Sequence, residues 1–230
     1  MTETIDSAQF HQSATFAPVS PAQLETLYQR ASVVRLRRGE VLFLEGDLGD
    51  TLYVIVRGKV KVGRTSADGR ENLIAVLGPG EMLGELSLFD PGPRTGSATA
   101  VVPSELYQLS HADFTSWLND NPAAAHILLR ALAQRLRKTN EAMGDLVFSD
   151  VPGRVAKALL DLADRFGEPA VGGGTRVAHD LTQEELAQLI GASRETVNKS
   201  LADFDARGWL RREGRTLILM DLERLKRRAR

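Results

Sequence analysis

The residues best suited to bind a ligand lie in the stretch 78–98, which is rich in glycine and proline. Glu85 offers an acceptor for a sugar hydroxyl, while Arg94 and Thr95 offer a forked cation and a hydroxyl for a phosphate. Glycines such as Gly84 let backbone N–H groups approach a bound group closely. The stretch therefore predicts an anion cradle.

Other chemistries find little support in the composition. The chain has no cysteine, which excludes disulfides, thiolate zinc sites and a cysteine-ligated iron–sulfur sensor within it. Its four histidines are scattered and follow no metal-ligand spacing. A nucleotide-hydrolysing enzyme would need a metal cluster or an activated nucleophile, and neither accompanies Glu85. We therefore expect no metal and no enzymatic activity.

The overall composition is that of a protein with a sizeable core. The 230 residues are 43% hydrophobic, enough for one or two domains. The sequence contains no run of about 18 uncharged apolar residues and no signal peptide, so we expect a cytoplasmic protein without membrane contact. The net charge of −1 divides into −3 over residues 1–149 and +2 over 150–230. DNA binding would therefore depend on local placement of positive groups.

Short β-strands surround the cradle. The strand-like runs are Val33–Leu36, Val41–Phe43, Thr51–Val56, Lys59–Val62, Glu71–Leu77, Ala98–Val102 and Leu106–Leu109. Turn formers separate them, and such a series without helices predicts a β-barrel or jelly roll. Ser20 is placed to cap a short helix over Pro21–Tyr28. Residues 1–17 show no period and are expected to form a flexible tail.

A long helix is expected to follow the strands. No glycine or proline interrupts the sequence between Pro122 and Gly144, and helix-compatible residues continue to Phe148. The positions spaced 3 and 4 apart are Leu129, Leu132, Leu136, Thr139, Met143 and Leu146. This heptad seam predicts a coiled coil between two copies of the chain, and the alternative is an amphipathic helix lying on its own barrel. Thr139 would either set the register or touch a ligand at the interface.

The C-terminal part shows a helix-turn-helix pattern. Pro152 cannot continue the long helix, so we place a hinge there and expect the next helix over Arg154–Phe166. A capping box opens a helix over 182–190, Gly191 ends it, and Ser193 can cap a second helix to about residue 206. A hairpin over 209–219 completes a winged version. A helical hairpin without a DNA role is the alternative.

The second helix of this motif would enter a major groove with its first turns. Arg194 can bind guanine O6 and N7 together, Glu195 can accept from cytosine N4, and Lys199 can reach guanine or phosphate. Val197 and Leu201 would face inward. The residues expected to meet DNA are Thr182, Gln183, Arg194, Glu195, Thr196, Asn198 and Lys199.

Four motifs in this order resemble the cyclic-AMP receptor protein (catabolite activator) branch of a large family of bacterial regulators. They are Gly84-Glu85-Leu86-Ser87 with Pro93-Arg94-Thr95, then Arg135-Leu-Arg-Lys-Thr139-Asn140, then Asp150-Val-Pro-Gly-Arg154, then Ser193-Arg194-Glu195-Thr196-Val197. The resemblance covers about Pro21 to the C-terminus. It implies a homodimeric transcription regulator, with a jelly roll that binds cyclic AMP and a winged helix that reads palindromic GTGA-type half-sites in double-stranded DNA. RNA polymerase is a further partner that it implies.

The resemblance also implies roles for single residues. Glu85 would take the ribose 2′-hydroxyl, Arg94 and Thr95 the cyclic phosphate, and Thr139 with Asn140 the adenine. The residues implied to bind the nucleotide are Gly84, Glu85, Leu86, Ser87, Arg94, Thr95, Arg135, Thr139 and Asn140, with Arg135 near the phosphate. Two positions depart from the best-known member, which has serine at Asn140 and a Gly-Arg pair at Asn198-Lys199. These departures bear on the purine contacts and on half-site preference.

The fold class expected from these patterns is α+β with two domains. A flexible tail would occupy 1–20, a cyclic-nucleotide-binding jelly roll 21–120, a long dimerisation helix with its hinge 121–149, and a winged helix-turn-helix 150–230. Two other functions stay open. The same fold could respond to another effector or bind DNA constitutively, and a nucleotide-hydrolysing enzyme could use the same pocket.

Overall fold

The computed structural model describes residues 19–66, 68–90 and 92–230. The expected N-terminal tail, up to residue 18, lies outside the described residues. The chain divides into two compact units: the first runs to Thr65 and resumes over Ile74–Arg137, and the second comprises Ser66–Leu73 and Lys138–Arg230. Within the described ranges, no helix combines the length and apolar character needed to cross a membrane.

The described residues between Ser32 and Ser110 form eight strands. They are β1 (Ser32–Leu36), β2 (Val41–Phe43), β3 (Thr51–Arg57), β4 (Val60–Thr65), β5 (Glu71–Leu77), β6 (Met82–Leu83), β7 (Ser97–Ala100) and β8 (Ser104–Ser110). One four-stranded sheet has the order β1-β8-β3-β6 and the other β2-β7-β4-β5. Neighbouring strands thus come from distant parts of the chain, as in a jelly roll. The predicted β-rich N-terminal domain is confirmed.

Strand β3 shows how alternation builds two cores. Leu52 and Val54 are buried in one cluster together with Trp117, while Ile55 is buried in a second cluster with Leu106. Successive side chains of a strand point to opposite faces, so one sheet can serve both clusters. The first cluster also receives helices α1 (Pro21–Tyr28) and α3 (His111–Asp120).

Local capping chemistry explains where these two helices begin. Ser20 accepts a hydrogen bond from the backbone N–H of Gln23, and the Gln23 side chain completes a capping box. Ser110 caps α3 by accepting from the N–H of Asp113. The predicted helix over Pro21–Tyr28 is therefore confirmed.

The cradle stretch contains two short elements that the sequence did not predict. They are β6 and helix α2, which is a single turn over Leu86–Phe89. Both are too short to show a hydrophobic period. Strand β7 also differs, because it ends at Ala100 and not at Val102.

Helix α4 spans Pro122–Phe148, and the boundary between the two units falls inside it. Ala124 and Leu128 are buried in the first cluster. The apolar positions of the predicted seam behave differently: Leu129, Leu136, Met143 and Leu146 are between 57% and 63% exposed. Leu132, also in the seam, is only partly exposed. The helix thus carries four apolar seam side chains that this single chain leaves largely in contact with solvent.

The second unit contains the elements of a winged helix-turn-helix. They are α5 (Val151–Phe166), β9 (Gly167–Pro169), β10 (Thr175–Ala178), α6 (Gln183–Ile190), α7 (Arg194–Ala206), β11 (Leu210–Glu213), β12 (Thr216–Leu219) and α8 (Leu222–Arg228). The four strands form one sheet in the order β11-β12-β10-β9. Gly191 ends α6 with a φ of 68°, and Ser193 caps α7. The predicted motif is confirmed.

The start of α5 corrects the sequence prediction. The helix begins at Val151 and not at Arg154, because Asp150 caps it by accepting from the N–H of Gly153 at 2.9 Å. Pro152 lies in the first turn, where its missing N–H leaves no helical hydrogen bond unmade. The interruption after α4 is therefore confined to Ser149 and Asp150.

Asp150 gives a prediction about stability and pH. Arg228 Nη2 donates to its Oδ2 at 2.6 Å, and this bond, with the one from Gly153, holds the pKa of the Asp150 carboxyl below its ordinary value. The stabilisation from the charge is therefore complete above the ordinary pKa and is lost as pH falls through the lowered one. We expect Asp150→Ala to lower the free energy of unfolding by about 1 kcal/mol at neutral pH, through loss of the cap.

Asp150→Asn separates the charge from the cap, because asparagine caps helices as well as aspartate does. At neutral pH this variant should lose a few tenths of a kcal/mol of unfolding free energy, as for an exposed ion pair. The difference from wild type should vanish in acid, where the wild-type carboxyl is protonated. Denaturant unfolding at several pH values measures both variants. An equal loss for Ala and Asn at neutral pH would contradict the role of the cap.

Candidate functional site

Arg94 lies at the centre of the cradle and is only 5% exposed. Its Nη2 donates to the carbonyl oxygen of Thr51 at 2.7 Å, and its Nη1 donates to that of Gly84 at 3.0 Å. The centroid of the Phe43 ring lies 4.4 Å from its Cζ. Its own backbone N–H donates to the carbonyl of Asp47 at 2.8 Å. The guanidinium is thus held on several sides.

The charge of Arg94 is not balanced by a neighbouring side chain of the described residues. In that part of the chain no carboxylate pairs with Arg94, and its buried Nε has no hydrogen-bond acceptor. Burial raises the pKa of the nearby Tyr53 hydroxyl, which therefore stays neutral and adds no negative charge. Burying an unpaired guanidinium is costly. An anion would supply both the missing charge and the missing acceptor.

Two glycines make room for this guanidinium. A Cβ on Gly49 would lie 2.5 Å from Arg94 Nε, closer than any side chain can tolerate. Gly84 has a φ of +83°, and a Cβ there would also lie 2.8 Å from the carbonyl oxygen of Thr51. A side chain at either position would therefore displace the Arg94 guanidinium from its observed place.

Glu85 is the second buried charge, with 3% of its surface exposed. Arg135, from α4, donates through Nη1 to Glu85 Oε1 at 2.5 Å. The pair neutralises a carboxylate that lies within ten residues of Arg94 in sequence. The sequence did not predict this contact, which joins residues 50 positions apart.

The other predicted ligand residues are spread over three places. Ser87 is buried in α2, whereas Leu86 in the same turn is half exposed. Thr95 is exposed next to Arg94. Thr139 and Asn140 are exposed on the part of α4 that belongs to the second unit. The first unit therefore brings together the residues predicted for the ribose and phosphate.

The sequence missed two residues that shape the cradle. Phe43 ends β2 and Thr51 begins β3, and both read as ordinary strand positions. Only the sheet topology brings them to Arg94. The signal available in the sequence was the unusual turn between them, which contains Gly46 and Gly49.

The candidate DNA surface lies on α7. Arg194, Glu195 and Lys199 are exposed, while Val197 and Leu201 are buried, as the sequence predicted. Thr196 takes part in the α7 cap, and Thr182 caps α6 by accepting from Glu185 N–H at 3.1 Å. One face of α7 is thus packed in the core, and its exposed residues carry hydrogen-bond donors and a carboxylate.

Gln183 connects the two helices of the motif. Its Oε1 accepts from Asn198 Nδ2 at 3.0 Å and from Arg194 Nη2 at 3.5 Å. A cavity of about 570 Å³ lies between these helices and the wing, with Arg194, Arg212 and Arg215 in its lining. The lining also contains Glu184 and Asp205, and Asp205 forms an ion pair with Arg212 at 3.2 Å. Three arginines thus meet two carboxylates there, and the excess of cations on a concave surface suits a polyanion.

Comparison with known protein families identifies a domain type for two segments of the chain. Residues 33–121 match the cyclic nucleotide-binding domain, and residues 153–228 match the Crp-like helix-turn-helix domain. A CRP-like cAMP-activated global transcriptional regulator of Mycobacterium tuberculosis (strain ATCC 25618 / H37Rv) is 54% identical over 215 residues, which are 94% of this chain and 96% of that protein. The chain belongs to the cyclic-AMP receptor protein family.

Other members of the family extend the comparison. The cyclic AMP receptor protein of Thermus thermophilus is 39% identical over 174 residues, 76% of this chain and 77% of that one. The crystal structure of the Thermus thermophilus catabolite activator protein aligns with a TM-score of 0.55 at 34% identity, over 94% and 98% of the two chains. A c-di-GMP responsive regulator, CLP of Xanthomonas campestris, aligns with a TM-score of 0.74 at 27% identity, over 87% and 99%.

Family membership decides the class of protein. Members are transcription regulators with a DNA-binding helix-turn-helix domain, and they are not enzymes. The matched N-terminal domain supports a cyclic nucleotide as the effector. Among the described residues, no three His, Cys, Asp or Glu side chains are grouped so that they could hold a metal ion.

Proposed function

We propose that the chain is a homodimeric regulator whose affinity for a palindromic DNA site rises when cyclic AMP binds the jelly roll. The observation that carries the proposal is the buried Arg94, which has an unpaired Nε and no carboxylate partner in the described residues. A cyclic ribose phosphate would pair with this cation and give Glu85 a hydroxyl donor. Relatives named cAMP-activated regulator and cyclic AMP receptor protein favour this nucleotide.

The residues of the cradle receive distinct roles in this proposal. Glu85 accepts from the ribose 2′-hydroxyl, and Arg94 with Thr95 and the backbone of 84–87 holds the phosphate. Arg135 keeps the Glu85 carboxylate neutralised, so that it can lie close to a phosphate anion without repelling it. The adenine falls to Thr139 and Asn140 on α4.

The exposed seam of α4 supports a dimer. Its apolar side chains follow a heptad spacing. Leu129, Leu136, Met143 and Leu146 are more than half exposed in the single chain, so a second copy is the partner that would cover them. In the corresponding domain plan, 21–120 binds the nucleotide, 121–149 dimerises and 150–230 binds DNA. The hinge lies at Ser149 and Asp150, where helical structure is interrupted.

On the DNA side, Arg194 and Glu195 read base edges of a GTGA-type half-site, since their side chains match guanine and cytosine groups in the major groove. Thr182, Gln183, Thr196, Asn198 and Lys199 contact the backbone or flanking bases, and the arginines of the wing approach phosphates. The protein would act in the cytoplasm on chromosomal DNA. RNA polymerase is the partner through which a bound regulator of this family would change transcription.

Cyclic AMP can raise DNA affinity only as far as it binds the DNA-competent state more tightly. In our proposal the preference arises on α4, because adenine contacts at Thr139 and Asn140 would join the two seam helices just before the hinge. Coupling of this kind changes affinity by about 5-fold to 150-fold.

A DNA titration tests the proposed function. A duplex with two GTGA-type half-sites is compared with one whose half-sites are scrambled, at a stated salt concentration and with cyclic AMP, cyclic di-GMP, adenosine or no ligand. Of the ligands tested, we expect only cyclic AMP to raise the affinity for DNA, and we expect the rise for the palindromic duplex and not for the scrambled one. Equal affinity in all four conditions would favour constitutive binding, and a response to cyclic di-GMP alone would favour another effector.

A further inference from the structure

Phe43 and Tyr53 form an aromatic support for Arg94. The Phe43 centroid lies 4.4 Å from Arg94 Cζ and the Tyr53 centroid lies 5.9 Å from it. The two rings are 6.0 Å apart and inclined by 30°. The guanidinium therefore rests against a pair of stacked rings in the interior of the cradle.

This contact carries unusual weight because of what Arg94 lacks. Its Nη atoms bond to two backbone carbonyls, but the described residues provide no carboxylate for it. A cation over an aromatic face is stabilised more as the two groups are removed from water, and here Arg94 is buried while the two rings are partly buried. The Phe43 ring thus helps to stabilise a buried charge before any ligand arrives.

We propose that Phe43 is a positioning residue for phosphate recognition. Its ring fixes the plane of the Arg94 guanidinium, so that the fork meets the phosphate without prior reorganisation of the side chain. The inference rests on the proposed function, in which Arg94 binds the phosphate. Beyond the proposed function, the inference states that affinity for the phosphate depends on Phe43, which acts through Arg94 and not by touching the nucleotide.

Phe43 also packs against the second apolar cluster, together with Leu42 from the same strand. A variant at Phe43 will therefore lose some packing, whatever it does to Arg94. Loss of packing and loss of the ring under Arg94 can be told apart by comparing a ligand that has a phosphate with one that does not. Loss of packing weakens binding of any ligand of the cradle, whereas loss of the stack weakens only the part of binding that depends on phosphate.

Titration calorimetry on the full-length protein, with cyclic AMP and with adenosine, measures that difference. We expect Phe43→Leu to weaken cyclic AMP about 3-fold to 30-fold and adenosine less than about 2-fold. Phe43→Tyr keeps the ring and should bind cyclic AMP within about 2-fold of wild type. Leu42→Ala, the packing control, should lower the melting temperature without changing the ratio of the two affinities.

A double-mutant cycle with Arg94→Met isolates the pair. In that background Phe43→Leu should weaken cyclic AMP no further, since the cation that it supports is absent. If Arg94→Met binds cyclic AMP normally, the phosphate role of Arg94 is wrong. Two outcomes would overturn the inference about Phe43 and leave the role of Arg94 standing. In the first, Arg94→Met loses binding of cyclic AMP but Phe43→Leu keeps it. In the second, Phe43→Leu weakens cyclic AMP and adenosine equally. Phe43→Met serves the same comparison if the leucine variant does not fold.

Discussion

Arg94→Met is expected to remove most cyclic-AMP binding while leaving the free protein folded. Truncating one partner of a buried, hydrogen-bonded charge pair costs about 2–5 kcal/mol of binding free energy, or roughly 30-fold to several thousand-fold in affinity. The free protein loses two hydrogen bonds to carbonyls but also the cost of burying an uncompensated cation. These changes oppose each other, so its melting temperature should stay near that of the wild type. Calorimetry with cyclic AMP and thermal unfolding without ligand measure both quantities.

Arg64→Met is the matched control, because Arg64 belongs to the same unit but forms an exposed ion pair with Glu45 at 2.8 Å. It should bind cyclic AMP as the wild type does. Arg94→Lys keeps the charge without the fork and should fall between wild type and methionine. Wild-type affinity in Arg94→Met would remove Arg94 from the phosphate site and with it the main support for the proposed ligand.

Local chemistry explains why so much of the fold could be predicted from the sequence. Ser20, Ser193 and the Thr182 capping box mark helix starts by hydrogen bonds within three residues, and Gly191 marks an end by its positive φ. Such signals depend on neighbours in the chain and survive any tertiary arrangement. The same rules misplaced the start of α5, since proline can both break a helix and begin one. The cap of Asp150 decides between these options.

The environment of the cradle could not be predicted in the same way. Arg94 bonds to the carbonyl of Thr51, 43 positions away, and Glu85 pairs with Arg135 across 50 positions. The types of Glu85 and Arg94 predict that the stretch binds a sugar phosphate. The Thr51 contact follows from the order of the strands, and the Arg135 contact follows from where α4 packs, and neither is set by a local pattern.

The Glu85–Arg135 pair gives the cradle a direct contact with α4. Arg135 is followed at once by Leu136, a member of the exposed seam. A ligand hydroxyl that competes for the Glu85 carboxylate would therefore change the hydrogen bonding of a residue on α4. In the proposed function, this ion pair offers a route by which occupation of the cradle would act on the part of α4 that belongs to the first unit.

Disruption of the proposed dimer is the second change with a large expected effect. Replacing both Leu129 and Leu136 with glutamate should give a monomer, because each change removes an apolar side chain from the seam and places a negative charge opposite its copy. A monomer holds one half-site at a time and loses the gain from binding two together. We expect affinity for the palindrome to fall at least about 100-fold, even with cyclic AMP present. Sedimentation and DNA titration measure the two effects.

A control must change the charge equally without touching the seam. Arg130→Gln with Gln134→Glu also makes each chain more negative by two, at exposed positions of the same helix outside the seam. This control should stay dimeric and lose only the modest affinity that added charge costs near DNA. If the seam variant stays dimeric, the apolar face of α4 has another occupant. The seam variant could instead become a monomer and still bind the palindrome as tightly as the control. Dimerisation would then not be the source of palindrome recognition, because losing one of two linked half-site contacts must lower affinity.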